Sequence, residues 1–113
     1  MSRLIGAYYE QLALDYLLSR SLILQDRNFS SRFGEIDLIM RDGVSTVFVE
    51  VRKRKSGIDA ANWSITSAKQ NKLVKTAQYY MLKIGRELNC RFDAILIDEQ
   101  NNIEWLKNII ILY

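Results

Sequence analysis

Two neighbouring segments alternate apolar and polar residues, and they constrain the fold more than any other feature of the chain. Glu35 to Met40 reads EIDLIM, and Val47 to Lys53 reads VFVEVRK. An alternation with a period of two is typical of β-strands that bury one face. Asp42-Gly43, between the segments, is a preferred turn sequence, so the two segments predict a β-hairpin.

This hairpin contains two acidic residues, Asp37 and Glu50, whose relative position depends on the strand register. A turn centred on Asp42-Gly43 pairs Asp37 with Phe48, because opposed residues in an antiparallel pair have a constant index sum. A four-residue loop from Asp42 to Ser45 pairs Asp37 directly with Glu50. Both registers bring the two carboxylates within reach of one ion.

The two acids have more than one interpretation. Like charges facing each other across strands are destabilising, and a divalent cation such as Mg²⁺ would reverse that effect. Ile39 and Phe48 share the face of the acids, which suggests that a helix covers this face. Alternatively, the acids are solvated surface residues, or Arg52 neutralises Glu50 without any metal.

The rest of the chain predicts two helices and further strands around the hairpin. Apolar residues recur with the helical period in two segments, and short apolar runs indicate strands. The predicted helices are Leu4 to Arg20 and Ser67 to Leu88, the latter capped by Thr66 or Ser64; the predicted flanking strands are Leu22 to Gln25, Arg91 to Asp98, Ile103 to Leu106 and Ile109 to Tyr113; and Asp26 to Gly34 is turn-rich. We expect one α/β (α+β) domain over residues 1–113, in the order α-β-β-β-α-β-β with a mixed sheet.

Composition narrows the chemistry that is possible. The chain has no histidine and a single cysteine, Cys90. These absences exclude Ser-His-Asp and Cys-His catalysis, an internal disulfide, and zinc sites built on histidine or several cysteines. The composition does not exclude sites with oxygen ligands for Mg²⁺ or Mn²⁺. The N-terminal segment has no long apolar run, so we expect no signal peptide, no membrane span and a cytoplasmic protein.

Several stretches together resemble a known family. Asp37 followed by Glu50-Val51-Arg52 looks like the PD-(D/E)XK nuclease signature. GAYYEQLALDYLL, GEIDLIMRDG, VFVEVRKR, SAKQNKLVKTAQYYM and RFDAILID occur in order and resemble the YraN-like proteins of bacteria. That family is similar to Holliday-junction resolvases. The resemblance implies a restriction-endonuclease-like mixed sheet flanked by helices.

The resemblance also implies roles for individual residues. Asp37 and Glu50 match the metal-binding acids, Glu10 matches a third acid, and the Val51 carbonyl is a further ligand in such sites. Arg52 stands where the signature has lysine, and the proline of the signature is absent. Arginine is always protonated and cannot act as a base, although it can stabilise charge in the transition state.

Basic residues around the acids predict a surface for a phosphate backbone. The resemblance assigns Lys69 and Lys72 to a basic position that substitutes for the missing lysine or holds phosphate. The other candidates for nucleic-acid contacts are Arg27, Arg32, Lys53, Arg54 and Lys55. Trp63 either stacks on a base or anchors its own loop. The apolar run from Ile109 to Tyr113 suits an edge of the chain's own sheet or a homodimer contact.

Three functions are compatible with these observations. The first is a Mg²⁺- or Mn²⁺-dependent nuclease that cleaves DNA, with Asp37, Glu50, Arg52 and Lys69 as catalytic residues. The second is a non-catalytic nucleic-acid-binding module that retains the nuclease fold, which the arginine at position 52 favours. The third is an interaction protein without a nucleic-acid role. The net charge of +3 permits a nucleic-acid partner without requiring one.

Overall fold

A computed structural model of the chain describes residues 3–55 and 64–110. The elements in chain order are helix α1 (Arg3–Ser19), strands β1 (Ile23–Ser31), β2 (Gly34–Asp42) and β3 (Ser45–Lys53), helix α2 (Ser67–Ile84), and strands β4 (Cys90–Ile97) and β5 (Ile103–Leu106). The predicted order α-β-β-β-α-β-β is confirmed. In the described ranges, neither helix is long and apolar enough to cross a lipid bilayer.

The strands form one mixed sheet in the order β1-β2-β3-β4-β5. The pair β3–β4 is parallel, and the other three pairs are antiparallel. Parallel neighbours need a crossover connection, which α2 supplies. The central strand β3 is therefore paired on both edges, and its residues from Thr46 to Val51 are all buried.

The two helices cover opposite faces of this sheet. Alternation along β3 directs Val47, Val49 and Val51 into a core cluster with α1, which includes Ala13 and Leu17 of the helix. Phe48 belongs to a second cluster with α2. The prediction that a helix covers the face of Ile39 and Phe48 is confirmed, and that helix is α2.

The β2–β3 hairpin adopts the register of the four-residue loop. Asp42 is paired with Ser45, and Leu38 with Val49, so the index sum is 87 (42 + 45). Gly43 has a φ of 61°, a left-handed conformation that glycine adopts without strain. Strict alternation would set Ile36 on the face of Leu38, but Ile36 belongs to the α2-side cluster, and the pairing of β2 with β3 ends at Leu38.

The prediction that Asp26 to Gly34 is a turn-rich segment was wrong for Asp26 to Ser31 and holds only for the turn at Arg32-Phe33. Strand β1 extends to Ser31, with a register irregularity between Leu24 and Asp26 and a positive φ at Asn28. An edge strand tolerates such irregularities, and its polar side chains can face water while its backbone pairs with β2. Pairing therefore overrides the local turn preference of these residues.

Two predicted boundaries also differ from the structure. Helix α2 ends at Ile84, before the predicted Leu88, because Gly85 adopts a φ of 81° and its N–H bonds back to the Met81 and Leu82 carbonyls. Ile109 and Ile110 are not in a strand. The Ile109 N–H donates to the Phe92 carbonyl (2.7 Å), and Ile110 is buried in the α2-side cluster. The rest of that predicted strand, 111–113, lies outside the described residues.

Candidate functional site

The predicted acids lie where the β2–β3 pairing ends, between the two helices. Two depressions meet there and share Asp37, Glu50 and Lys69. The α1-side depression, of about 480 Å³, is lined by Ile5, Gly6, Glu10, Asp37, Glu50, Val51, Arg52, Lys53 and Lys69. The α2-side depression, of about 470 Å³, is lined by Gly34, Glu35, Asp37, Glu50, Thr66, Ala68, Lys69, Lys72 and Leu73.

Asp37 is held rigidly and in an environment that disfavours its charge. The backbone N–H of Val51 donates to Asp37 Oδ2 over 2.8 Å. Burial raises the pKa of the Asp37 carboxyl to about 7, and the charges of Glu50, Glu10 and Glu35 act in the same direction, while the Val51 hydrogen bond opposes them. The neutral form of this carboxyl is therefore favoured at a much higher pH than in an ordinary aspartate.

Three carboxylates from two elements, α1 and β2, converge around this position. Glu10 of α1, Glu35 of β2 and Asp37 each offer an oxygen, and these atoms lie within 4.8 Å of one another. Burial raises the pKa of Glu10, and the charge of Glu35 adds to the rise; a hydrogen bond from the Asn28 side chain and the charge of Arg27 oppose it. Glu10 and Asp37 are partly buried and Glu35 is exposed, so the group concentrates negative charge at the mouth of the two depressions.

Glu50 is buried, but two cations compensate its charge. Lys69 Nζ lies 2.8 Å from Glu50 Oε1, and Arg52 Nε lies 3.1 Å from the same oxygen. Lys69 lies in the first turn of α2, where the Thr66 hydroxyl accepts a hydrogen bond from the Lys69 N–H (3.2 Å) and caps the helix as predicted. The alternative in which Arg52 pairs with Glu50 is therefore observed, and Lys69 joins that pair.

The structure brings only some of the predicted basic residues to the acids. Lys53 lines the α1-side depression, with its Nζ 5.9 Å from the Tyr9 ring centroid, and Lys72 lines the α2-side depression. Arg27 lies on the α1 side, where it donates to the Gln11 side-chain oxygen (3.3 Å).

The other predicted basic residues lie outside the two depressions. Arg54 pairs with Glu104 (3.1 Å), and Arg54 and Lys55 line a separate depression with Glu99. Arg32 lies in the β1–β2 turn, over the Phe33 ring. Trp63 lies outside the described residues.

The carboxylate of Glu35 also belongs to the group of three. The sequence signal for this position is the spacing of two from Asp37, which sets both residues on one face of a strand. Glu50 lies next to Asp37 in both depressions but outside that group, so its role as a ligand stays a prediction. The same holds for the Val51 carbonyl.

Comparison with known proteins identifies the family. The model of "Uncharacterised protein family UPF0102" matches residues 9–97. A UPF0102 protein of Nitrosospira multiformis is 48% identical over 109 residues, which cover 94% of this chain and 92% of that protein. A UPF0102 protein of Legionella pneumophila strain Philadelphia 1 is 47% identical over 107 residues, covering 91% of each chain. The chain therefore belongs to the UPF0102 family, the YraN-like proteins that its sequence resembles.

Proposed function

We propose that this chain is a cytoplasmic, Mg²⁺- or Mn²⁺-dependent nuclease that hydrolyses phosphodiester bonds of DNA, including branched or damaged forms. The observation that carries the proposal is the convergence of Glu10, Glu35 and Asp37 within 4.8 Å beside cationic side chains. Neighbouring carboxylates repel one another, and a bound divalent cation would relieve that repulsion.

The donor set fits a hard divalent cation. All three groups are carboxylates, which are the ligands that Mg²⁺ and Mn²⁺ prefer. Mg²⁺ usually takes one or two carboxylates and completes its shell with water and phosphate oxygens, so a group open to two depressions suits it. Glu10, Glu35 and Asp37 would hold the ion, and Glu50 is the next acid within reach.

A bound divalent cation supplies Lewis acidity, which lowers the pKa of a coordinated water and offsets the charge of a phosphate. The protein residues have separate tasks around it. The Val51 N–H fixes the orientation of Asp37. Lys69 and Arg52 both contact Glu50, which lines the two depressions beside Asp37. From this position the two cations would stabilise negative charge that develops on the phosphate.

The cations that line the two depressions suit the DNA backbone. Lys53 lies on the α1 side and Lys72 on the α2 side, so a strand that crosses the acids meets a lysine in either direction. Contacts of this kind position a backbone without reading its sequence, which is the behaviour required to act on DNA structure.

A non-catalytic nucleic-acid-binding module is the second candidate, and one observation favours it. Lys69 and Arg52 both contact Glu50 Oε1, so the charge of that acid is compensated without a metal. Arg52 also cannot act as a general base. In this case the acids would only adjust the charge of the surface, and the lysines alone would bind the phosphate backbone of the nucleic acid.

One assay separates the candidates. Purified protein is incubated with linear duplex, single-stranded and four-way-junction DNA, with Mn²⁺ or with EDTA. Cleavage in Mn²⁺ that Asp37→Asn abolishes supports the nuclease. The matched control is Asp15→Asn, which removes an exposed acid of α1 and should cleave normally. Salt-dependent binding without cleavage supports the second candidate, and the absence of both refutes the two together.

A further inference from the structure

A third groove continues from the α2-side depression along α2. We call it the Phe33 groove; its volume is about 770 Å³, and it is lined by Arg32, Phe33, Lys75, Gln78, Tyr79 and Leu82. It adjoins the α2-side depression through consecutive residues, since Phe33 precedes Gly34 and Lys75 follows Lys72 by one helical turn. A Cβ at Gly34 would lie 3.7 Å from the Lys72 Cβ, so the β1–β2 turn lies directly against α2.

We propose that the Phe33 groove binds an unpaired stretch of the nucleic-acid strand, with a base stacked on the Arg32–Phe33 pair. This inference rests on the proposed function in so far as that function requires nucleic acid to bind. It adds the class of substrate, which is DNA with a single-stranded segment next to the scissile phosphate.

The charge of the groove supports an anionic ligand. Two of its six lining residues are cations, and none is an acid. Among the described residues, neither Arg32 nor Lys75 takes part in an ion pair, in contrast to Arg54 and Arg91. Cations without acidic partners attract phosphate most strongly because no internal pair has to be broken.

The aromatic residues indicate that the ligand includes an unpaired base. The Arg32 guanidinium lies 4.9 Å from the Phe33 ring centroid, and Lys75 Nζ lies 5.6 Å from it. Tyr79 is 41% exposed, and its ring lies 6.0 Å from that of Phe29. Unpaired bases stack on aromatic rings and on arginine planes, whereas a duplex offers only the edges of its bases.

The spacing along α2 matches a continuous strand. Lys69, Lys72 and Lys75 recur every three residues, so they lie on neighbouring parts of the helix surface. At about 1.5 Å per residue, Lys69 and Lys75 are separated by about 9 Å along the axis. A stacked strand rises about 3.4 Å per nucleotide, so two to three phosphates span this distance. The stacked base would therefore belong to the second or third nucleotide from the acids.

The test measures stacking in EDTA, where no cleavage occurs. A single-stranded oligonucleotide containing 2-aminopurine is titrated with protein, and stacking is read from the quenching of its fluorescence. Phe33→Leu should abolish the quenching and weaken single-strand binding about tenfold, with less than a twofold effect on duplex binding. Phe33→Tyr should restore both. Equal loss for single strand and duplex, or unchanged quenching, would overturn the inference.

Surface variants keep the test valid if Phe33→Leu does not fold. Arg32→Gln with Lys75→Gln should reduce the slope of log affinity against log salt by about 1.4 for a single strand. The matched control for Arg32→Gln alone, which should reduce the slope by about 0.7, is Arg20→Gln; Arg20 follows α1 and lies over the Tyr16 ring at 4.7 Å, on the opposite face of the sheet. An equal effect of Arg20→Gln would show a diffuse charge effect and refute the inference.

The outcomes separate this inference from the proposed nuclease activity. If Mn²⁺ supports no cleavage but Phe33→Leu selectively weakens single-strand binding, the inference stands and the nuclease proposal fails. If cleavage occurs and the quenching is insensitive to Phe33, the inference fails alone. If the groove instead binds a second copy of the chain through Tyr79 and Leu82, sedimentation will show a dimer without DNA, which also overturns it.

Discussion

Replacing Asp37 with asparagine should stabilise the metal-free protein at alkaline pH. The asparagine side chain keeps an oxygen to accept the Val51 N–H, which now bonds to Asp37 Oδ2 over 2.8 Å. It removes a charge that burial and three nearby acids disfavour. A substitution at a proposed metal ligand would then increase stability while it abolishes activity, as expected when a site is arranged for a ligand and not for the fold.

The magnitude follows from the pKa of the Asp37 carboxyl. This pKa is about 7 in the folded protein, against an ordinary value of 3.8 for an aspartate. Because the folded pKa is raised, the carboxyl favours folding most below pH 3.8 and progressively less as the pH rises to 7. A difference of about 3 pKa units corresponds to about 4 kcal/mol at pH 8. Asp37 is only partly buried, so we expect a gain of about 2–4 kcal/mol.

Thermal and denaturant unfolding of both proteins in EDTA, from pH 4 to pH 8.5, measure this gain. For a domain of this size, 1 kcal/mol corresponds to about 4 °C in Tm, so Asp37→Asn should melt roughly 8–16 °C higher at pH 8 and equally at pH 4. Asp15→Asn, at an exposed position, should change stability by less than about 0.5 kcal/mol. An unchanged or lower Tm for Asp37→Asn at pH 8 would refute the argument that this charge is disfavoured.

Three further predictions concern two buried carboxylates and the cap of helix α2. Lys69→Gln should lower the free energy of unfolding by about 1–3 kcal/mol, because buried Glu50 then has Arg52 as its remaining ion-pair partner. In denaturant unfolding, the loss caused by Lys69→Gln should be smaller when Glu50→Gln is already present. Additive losses would contradict the pairing. Asp93→Asn should lower the free energy of unfolding by about 3 kcal/mol, since this fully buried carboxylate accepts hydrogen bonds from Arg91, Trp105 and the Asn108 backbone. Unfolding followed by tryptophan fluorescence measures the loss, and a loss below about 1 kcal/mol would contradict this prediction. Thr66→Ala should cost about 1 kcal/mol through loss of the α2 cap, while Thr66→Ser should cost little; equal melting temperatures for the two variants would argue against the cap.

The fold was predictable from the sequence where local patterns agree with the final pairing. The hairpin, both helices and the order of the elements along the chain follow from periodicity and turn residues. The register was not predictable, because a turn at Asp42-Gly43 satisfies the same local pattern. The structure shows a contact that no local pattern reveals: Arg91, 49 residues away, donates to Asp42 Oδ2 over 2.9 Å and holds the end of β2.

The candidate site was predictable in part, for a related reason. The sequence indicated Asp37 and Glu50 because both lie in one hairpin with a clear alternation. The family resemblance, and no local pattern, placed Glu10 with these acids, and no local pattern indicated that Glu50 pairs with Lys69 of α2. Contacts between side chains of a helix and of the sheet depend on how the helices pack on the sheet, and strand alternation contains no such information.

The divergence of β2 from β3 connects the fold to the chemistry. Continuing the register beyond Leu38–Val49 would set Ile36 opposite Val51 (36 + 51 = 87). Instead, Ile36 packs in the α2-side cluster, and the Val51 N–H donates to the Asp37 side chain. A side chain therefore makes a hydrogen bond that the backbone would have made in a regular hairpin. The Asp37 carboxylate is partly buried and accepts this backbone bond, so a proton or a cation would relieve the charge that burial disfavours. For this reason the stability prediction and the metal proposal depend on the same residue.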